Sequence, residues 1–348
     1  MGLVVAKRAR PMNRIAPPPS PSRPPLHAWV LAAGLAAALS SPLPVLAQTA
    51  YPTKPITLVV PFPPGGSADT IGRLVGQRLS DEFRQPVVID NRPGAGTAIA
   101  AGLVARAPAD GYTLLISSGS TFTANPAIRS NLPYDTVKSF DPIAIVARIP
   151  LIVLANKDVP VNNVKEFVAA IKAAPDKYSY ASFGAGTTSH FTGEIVLNAI
   201  GGKMLHVPYK GSAPAMTDLI GGQVPFSVDT VTAAIPQLKS GKVKAIAVTT
   251  AKRSSQLPNV PTFAEAGYPD VNADTWIMIV APKGTPAPIR TRLEKTLAKV
   301  VATPEAKAAL QAQGAEPAFA GSAASVAQIE AELPLMRAVA QRANIKVD

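Results

Sequence analysis

Residues 54–83 read KPITLVVPFPPGGSADTIGRLVGQRLSDEF, and this stretch shows the pattern of the whole chain. A run rich in β-branched residues comes first, at 54–62. Two prolines and two glycines follow, and apolar residues then recur at helical spacing from 71 to 83. The stretch is therefore predicted to form a strand, a glycine loop and a helix, which is the repeating unit of an α/β protein.

The same alternation of strands and helices continues to the end of the chain. Before residue 150 the pattern predicts strands at 86–90 and 112–117 and a helix at 97–107. After it, strands are predicted at 151–155, 178–183, 203–209, 224–229, 243–250 and 276–281, and helices at 164–174, 187–199, 213–220, 288–302, 304–313 and a last one ending near Asn344. This alternation favours parallel sheets with helices on both faces, which bind ligands at the carboxyl ends of the strands.

Composition excludes several classes of protein. The chain has 348 residues, 47% of them hydrophobic and only 16% charged, so it is not intrinsically disordered. It contains no cysteine, which excludes disulfide scaffolds, cysteine-ligated metals and thiol nucleophiles. The formal charge is +12, but the basic residues are scattered singly, and this pattern argues against nucleic-acid binding. The length predicts about two domains.

Residues 1–47 are predicted to be an export signal. Five basic residues precede an apolar run at 28–39, and the segment ends in small residues at Val45-Leu46-Ala47. The apolar run is too short to span a bilayer comfortably, so an uncleaved membrane anchor is the weaker alternative. Cleavage near Ala47 would leave an exported chain with a net charge of +7. Translation starts at either Met1 or Met12.

Four loops carry candidate binding residues. In the loop at 61–70, two glycines let backbone approach a ligand, Ser67 is expected to cap the following helix, and the free N–H groups of that helix suit an anion. An ordinary strand–helix turn is the alternative. The loop at 182–190 repeats this design, and the loop at 117–123 offers hydroxyl groups. The Gly-x-Gly at 94–96 lacks the third glycine of a dinucleotide fingerprint and is interpreted as a structural turn.

Histidine and acidic residues give little support for catalysis. His190 and His206 are the only histidines after the signal, and there is neither a Gly-x-Ser-x-Gly elbow nor a His-Glu-x-x-His motif. His190 is interpreted as a structural or ligand-contact residue, and His206 as packed or hydrogen-bonded. Asp69 is interpreted as a first-turn acid favoured by the helix dipole. Asp229 ends a predicted strand and is expected either to face a ligand or to cap the next helix.

Several phrases together resemble one family. They are residues 51–70 (YPTKPITLVVPFPPGGSADT), 90–96 (DNRPGAG), 110–112 (DGY), 184–190 (GAGTTSH), 207–211 (VPYKG) and 245–262 (AIAVTTAKRSSQLPNVPT), with Glu265-Ala266-Gly267, Trp276 and Ala281-Pro282 after them. In this order they are similar to the substrate-binding receptors of tripartite tricarboxylate transporters, the Bug family. The resemblance covers almost all of residues 51–348.

The resemblance implies a periplasmic-binding-protein-like fold of the type II Venus-flytrap kind, with two doubly wound α/β domains joined by a two-strand hinge. One domain would comprise residues 48–149 and 276–348, and the other residues 150–275. It also implies a small organic acid as ligand, held by backbone amides and hydroxyls without catalysis or cofactor. The implied contacts are Pro64, Gly65, Gly66, Ser67, Thr70, Ser120, Thr121, Ser182, Gly186, Thr187, His190 and Asp229.

The expected function is therefore an extracytoplasmic receptor that captures a carboxylate and delivers it to membrane permease subunits, acting as a monomer. Two alternatives remain: a sensor subunit that uses the same clamp for signalling, and a periplasmic hydrolase that uses His190. Removal of a buried donor by Ser67→Ala or Thr187→Ala is expected to weaken ligand binding. Contact of Asp229 with an ammonium group would favour an amino acid or amide over a simple dicarboxylate.

Overall fold

A computed structural model describes Gly2 and residues 16–20, 51–175 and 177–345 of the chain. The predicted export signal, its cleavage site at Ala47 and the alternative start at Met12 lie outside these residues, apart from Gly2 and residues 16–20. Within the described ranges, none of the helices combines the length and apolar character needed to cross a bilayer. The described residues from Tyr51 onward form one compact unit, and the fold below is that unit.

The elements alternate as the sequence predicts. The strands are β1 Ile56–Val60, β2 Val87–Asn91, β3 Thr113–Ser118, β4 Phe140–Asn156, β5 Ser179–Ser182, β6 Leu205–Pro208, β7 Phe226–Thr230, β8 Val243–Val248, β9 Asp274–Pro282 and β10 Glu316–Gly321. The α-helices are α1 Ser67–Phe83, α2 Ala98–Ala105, α3 Asn125–Ile128, α4 Val164–Ala173, α5 Thr188–Ile200, α6 Ser212–Ile220, α7 Val231–Lys239, α8 Ala287–Ala302, α9 Pro304–Ala312 and α10 Ser322–Arg342. A 3₁₀ turn (Ala95–Thr97) and a π-helical turn (Ser120–Ala124) precede α2 and α3.

The strands form a mixed sheet in the order β2-β1-β3-β9-β4-β7-β5-β6, with β8 and β10 also paired to β4. The prediction of parallel pairing is correct for the outer strands, since β1 pairs in parallel with β2 and β3, and β5 with β6 and β7. It is wrong at the centre, where β3–β9 and every pairing of β4 are antiparallel. The reason is that the chain leaves the first half along β4 and returns along β9 in the opposite direction.

Strand β4 is the longest strand and connects the two halves of the sheet. Its first part pairs with β9, from Phe140 opposite Pro282 to Pro150 opposite Asp274, and also with β10. Its last residues, from Leu151 onward, pair with β7, and from Ile152 with β8. Most of its residues are buried. The chain thus passes between the halves in extended, hydrogen-bonded backbone, as in a two-domain binding protein whose hinge is made of strands.

Helix ends show how local sequence sets this framework. Asn163 caps α4 by accepting a hydrogen bond from the backbone N–H of Glu166, whose side chain reaches back to Asn162 and Asn163. This reciprocal arrangement satisfies amide donors that the first turn leaves free. The apolar residues of α4, among them Phe167 and Ile171, pack into the core of the second half.

Candidate ligand-binding site

The first part of the site is the turn between β1 and α1. Gly66 occupies the N-cap position in an extended conformation, and no side chain caps the helix. The expectation that Ser67 caps α1 is therefore wrong, because Ser67 is already its first helical residue. The helix's first hydrogen bond runs from Thr70 N–H to Gly66 C=O at 2.9 Å. The amides before Thr70 in the first turn are consequently free for a ligand, at the positive end of the helix dipole.

Asp69 holds this turn in shape. Its carboxylate accepts hydrogen bonds from Gly65 N–H at 3.0 Å, from Arg73 Nε at 3.0 Å and from Asn91 Nδ2 at 3.0 Å. Burial by itself would raise the pKa of Asp69, but the hydrogen bonds from Arg73, Gly65 and Asn91 keep that pKa below its usual value. Asp69 is thus a first-turn acid, as predicted, and it also fixes the glycine loop through the Gly65 amide.

A second helix, α6, begins next to this turn, on the other half of the sheet. Gly211, with φ of +141°, is the N-cap of α6, and again no side chain caps the helix. A methyl group on Gly211 would lie 2.7 Å from Cδ of Pro63, so the loop after β1 and the loop before α6 touch. Ser212, the first residue of α6, faces the cavity. Two helix N-termini, one from each half of the sheet, therefore converge on one point.

The cavity between these two turns is narrow. Its volume is about 10 Å³, room for about one water molecule, so a larger ligand can enter only when the two loops move apart. The rings of Phe62 and Phe183 meet edge to face across it, with centroids 5.8 Å apart. No charged side chain lines it. The lining residues are Phe62, Gly66, Ser67, Ala68, Ser118, Phe183, Ser212 and Thr275.

Asp229 lies behind Ser212 and is completely buried. Its Oδ1 accepts hydrogen bonds from Ser212 Oγ at 2.7 Å, from Thr230 N–H at 2.7 Å and from Thr230 Oγ1 at 3.3 Å. Its Oδ2 has no hydrogen-bond partner among the described residues. Burial raises the pKa of Asp229 to about 6, in spite of these hydrogen bonds. The site thus contains a carboxyl group one hydrogen bond away from the cavity.

The predicted residues divide into those at the cavity and those beside it. Gly66 and Ser67 line it, while Gly65 lines an adjoining cavity of about 260 Å³ beside α6. Pro64 is exposed at the tip of the same loop, and Thr70 is half-buried one turn into α1. These residues form one continuous surface around the start of α1.

Ser120 and Thr121 do not line the cavity. Ser120 Oγ accepts from Thr188 N–H at 3.0 Å and lies 3.2 Å from Thr188 Oγ1, so it joins the π-helical turn to the start of α5. Thr121 Oγ1 donates to Thr97 Oγ1 at 2.8 Å and lies 2.5 Å from Ser117 Oγ. The Ser120 hydroxyl thus bonds to the second half of the sheet, and the Thr121 hydroxyl bonds within the first half.

The loop before α5 is also held by its own side chains. Thr187 Oγ1 donates to Gly184 C=O at 2.6 Å, and Gly186 N–H donates to His190 Nδ1 at 3.2 Å. Ser182 Oγ lies 2.7 Å from His206 Nε2. Loss of the Thr187 hydroxyl would therefore act first on the shape of this loop.

His190 is buried, and its ring stacks on that of the half-buried His206. Their centroids are 3.7 Å apart and their planes 11° from parallel. Burial lowers the pKa of His190 to about 4, and burial together with the neighbouring His190 lowers that of His206 to about 3. Both imidazoles are therefore neutral near pH 7.

This pair predicts a loss of stability in acid. The unfolded chain binds protons at its histidines below about pH 6.5, whereas the folded chain does not, so stability is complete above pH 6.5 and falls as the pH is lowered towards 4. At pH 4, His190 alone is expected to lower the free energy of unfolding by about 3 kcal/mol relative to pH 7. Unfolding temperatures measured from pH 7 to 4.5 should fall more steeply for the wild type than for His206→Phe. Equal slopes would contradict this account.

Sequence reasoning missed three cavity residues. Ser118, Ser212 and Thr275 lie on β3, α6 and β9, far apart in the chain. Thr275 is 1% exposed, and its Oγ1 has no partner within the described part of the chain. Only the end of β3 carried a signal, in the hydroxyl-rich loop at 117–123. The described residues contain no cluster of histidine and acidic side chains suited to a metal ion.

These features define a class of protein: a two-domain α/β solute-binding protein whose cleft presents backbone amides and hydroxyls. The family model described as "Tripartite tricarboxylate transporter family receptor" matches residues 71–344. The chain belongs to this family, and the resemblance seen in the sequence is confirmed.

Three solved structures are similar to this chain over almost their whole length. Rpa4515 from R. palustris with adipate is 37% identical, with a TM-score of 0.83 over 85% of this chain and 99% of that one. The periplasmic binding protein BugD is 37% identical, with a TM-score of 0.81 and coverage of 85% and 99%. MatC from Rhodopseudomonas palustris with bound malate is 31% identical, with a TM-score of 0.77 and coverage of 83% and 99%. The periplasmic-binding-protein fold is thereby confirmed.

Proposed function

We propose that this protein is a periplasmic receptor that captures a small carboxylate between its two halves and delivers it to the permease subunits of a tripartite tricarboxylate transporter. The observation that carries the proposal is the meeting of two uncapped helix N-termini, of α1 and α6, at one cavity without a charged side chain. Free amides and hydroxyls at the positive ends of helices bind anions without an ion pair.

Similar proteins support the ligand class. Adipate and malate, named with Rpa4515 and MatC, are both small carboxylates. In the proposal, domain 1 comprises residues 48–149 and 276–348, domain 2 comprises residues 150–275, and the monomer closes by movement about β4 and β9. The contacts proposed from the sequence remain, and Ser118, Ser212 and Thr275 join them.

The proposed role is binding without catalysis. His206 lies 2.7 Å from a serine hydroxyl, the distance of a nucleophile and its base, but no carboxylate in the described ranges hydrogen-bonds to its ring. The low pKa of His206, about 3, also makes it a poor base near neutral pH. The hydrolase alternative would require ester turnover that is lost in His190→Ala.

A thermal-shift screen of the protein purified from the periplasm tests the ligand class. The panel consists of adipate, malate, succinate, benzoate and aspartate, with dimethyl adipate as an uncharged control. A bound acid stabilises the folded state by about 2.7 kcal/mol at a hundredfold excess over Kd. We expect a shift with at least one acid and none with the diester. A shift with no acid, or an equal one with the diester, would contradict the proposal.

Loss of the Ser67 hydroxyl is expected to weaken binding of that acid by roughly 10- to 150-fold. The reason is that a hydrogen bond to a charged group contributes about 1.5–3 kcal/mol. Because Ser67 caps nothing, Ser67→Ala should leave the unfolding temperature of the free protein almost unchanged. Calorimetric Kd values for Ser67→Ala and for the control Thr296→Ala, a half-buried residue of α8, decide this. Wild-type affinity in Ser67→Ala would remove the α1 turn from the site.

A further inference from the structure

The carboxyl group of Asp229 is the unusual feature of the site. One of its oxygens is saturated by Ser212 and Thr230, and the other is buried without a partner. An ionised carboxylate normally keeps an acceptor bond on each oxygen or pairs with a cation. Neither occurs here within the described residues. Asp229 therefore either carries a proton or leaves Oδ2 available to accept a hydrogen bond from a bound donor.

The surroundings of Asp229 supply no compensating charge. The elements packed against β7 are β4, β5, α5, α6 and α7. Their titratable or charged side chains are bound elsewhere or exposed, and none of the hydrogen bonds and ion pairs in the described part of the chain joins one of them to Asp229. Arg148 pairs with Asp274, Tyr180 with Glu194 and Asp218 with Tyr209, His190 accepts from Gly186, and Lys239 is exposed at the end of α7.

A bound carboxylate would add a second negative charge close to this one. Ser212 both lines the cavity and donates to Asp229, so an anion at the α1 and α6 turns lies within a few ångströms of the buried carboxyl. Two carboxylates at such a distance in a dry site do not both remain ionised. The cavity contains no lysine or arginine that would neutralise either of them.

We propose that a carboxylate bound at the Gly66–Ser67 turn is taken up together with one proton from solvent, and that this proton resides on Asp229. The protonated Oδ2 then donates a hydrogen bond to the ligand. The inference rests on the proposed function. It adds that the receptor distinguishes acids from amino acids, because an ammonium group would need Asp229 ionised.

The pKa of about 6 for Asp229 in the free protein places the effect in an accessible range. Above pH 7 the free protein has mostly lost this proton, and aliphatic carboxylates are fully ionised. Binding must then recruit a proton, so Kd is expected to rise about tenfold for each pH unit between pH 7 and 8.5. His190 and His206 stay neutral throughout this range and do not contribute.

Calorimetry in two buffers with different ionisation enthalpies, phosphate and Tris, measures the protons taken up. The probe is the acid that gives the largest shift in the screen. At pH 7.5 we expect an uptake close to one proton for the wild type and for Asp158→Asn, a control that removes an exposed carboxylate from the same half. Asp229→Asn carries an uncharged amide in place of the acid, so it should bind at pH 8 at least as tightly as the wild type, without proton uptake.

Two results would overturn the inference. Heat independent of the buffer in the wild type would show that no proton is taken up. Loss of binding in Asp229→Asn, with aspartate as the preferred probe, would assign Asp229 to an ammonium group instead. Both results leave carboxylate capture intact, whereas failure of every acid to bind the wild type between pH 5.5 and 8 would contradict the proposed function and this inference together.

Discussion

Gly211→Ala is expected to weaken carboxylate binding by roughly 5- to 150-fold, since it obstructs closure of the cleft. The new methyl group would lie 2.7 Å from Cδ and 3.0 Å from Cγ of Pro63 on the opposite loop. The proline ring is rigid and its loop is set by Asp69, so the closed form is disfavoured by about 1–3 kcal/mol. Affinity measured by calorimetry is the readout.

Backbone strain at Gly211 needs its own control. Its φ of +141° is a conformation that alanine rarely adopts, so some stability is lost irrespective of the contact with Pro63. Gly284→Ala provides the comparison, because Gly284 also has a positive φ, +88°, but a methyl group there meets nothing within 4 Å. We expect a lower unfolding temperature in both variants and weaker binding only in Gly211→Ala. Equal affinities would show that the two loops do not meet in the bound state.

Trp276→Ala is expected to cost about 3–5 kcal/mol of folding free energy. Trp276 is fully buried, stacks on Phe122 with centroids 5.9 Å apart, and donates from Nε1 to Glu332 at 2.6 Å. Glu332 belongs to α10 and also accepts from Thr123, so the indole joins the central strand β9 to the last helix. The substitution removes a large ring from the core and leaves the carboxylate without one of its donors.

Urea unfolding measures this loss, and Trp276→Phe separates its two causes. Phenylalanine keeps most of the stacking on Phe122 but cannot donate to Glu332, so a loss of about 1–3 kcal/mol is expected from the missing hydrogen bond. The free energy of unfolding should therefore decrease in the order wild type, Trp276→Phe, Trp276→Ala. A loss below 1 kcal/mol in Trp276→Ala would mean that the core around β9 collapses to fill the space.

Local signals in the sequence predicted most elements of the fold. The apolar periodicity of α1 and α4 lies within the helices themselves, so it is visible without knowledge of the rest of the chain, whereas the predicted Ser67 cap of α1 was wrong. The first half of β4 was missed because Pro142, Arg148 and Pro150 interrupt its apolar run, and such interruptions are typical of loops. Strand β10 was missed because Glu316–Gly321 carries few β-branched residues and exists through its pairing with β4.

The candidate site was predictable only where a single loop carries the amides and hydroxyl groups proposed to contact the ligand. The glycines and Ser67 follow β1 directly, so the free amides of α1 could be inferred from that segment alone. Ser212 and Thr275 reach the cavity through the pairing of distant strands, which no local pattern encodes. The unpartnered oxygen of Asp229 is likewise a property of packing, since it depends on which donors the neighbouring elements bring to the other oxygen.

The continuity of β4 has a consequence for how this receptor can be divided. One strand supplies backbone partners to β9 and β10 at one end and to β7 and β8 at the other. A cut at residue 150 would leave each fragment with a truncated strand and exposed backbone groups on its neighbours. A chimaera that exchanges halves between relatives must therefore preserve the pairing of β4 with strands of both halves. Transfer of ligand specificity is expected to succeed more readily when individual loops are exchanged and β4 is left intact.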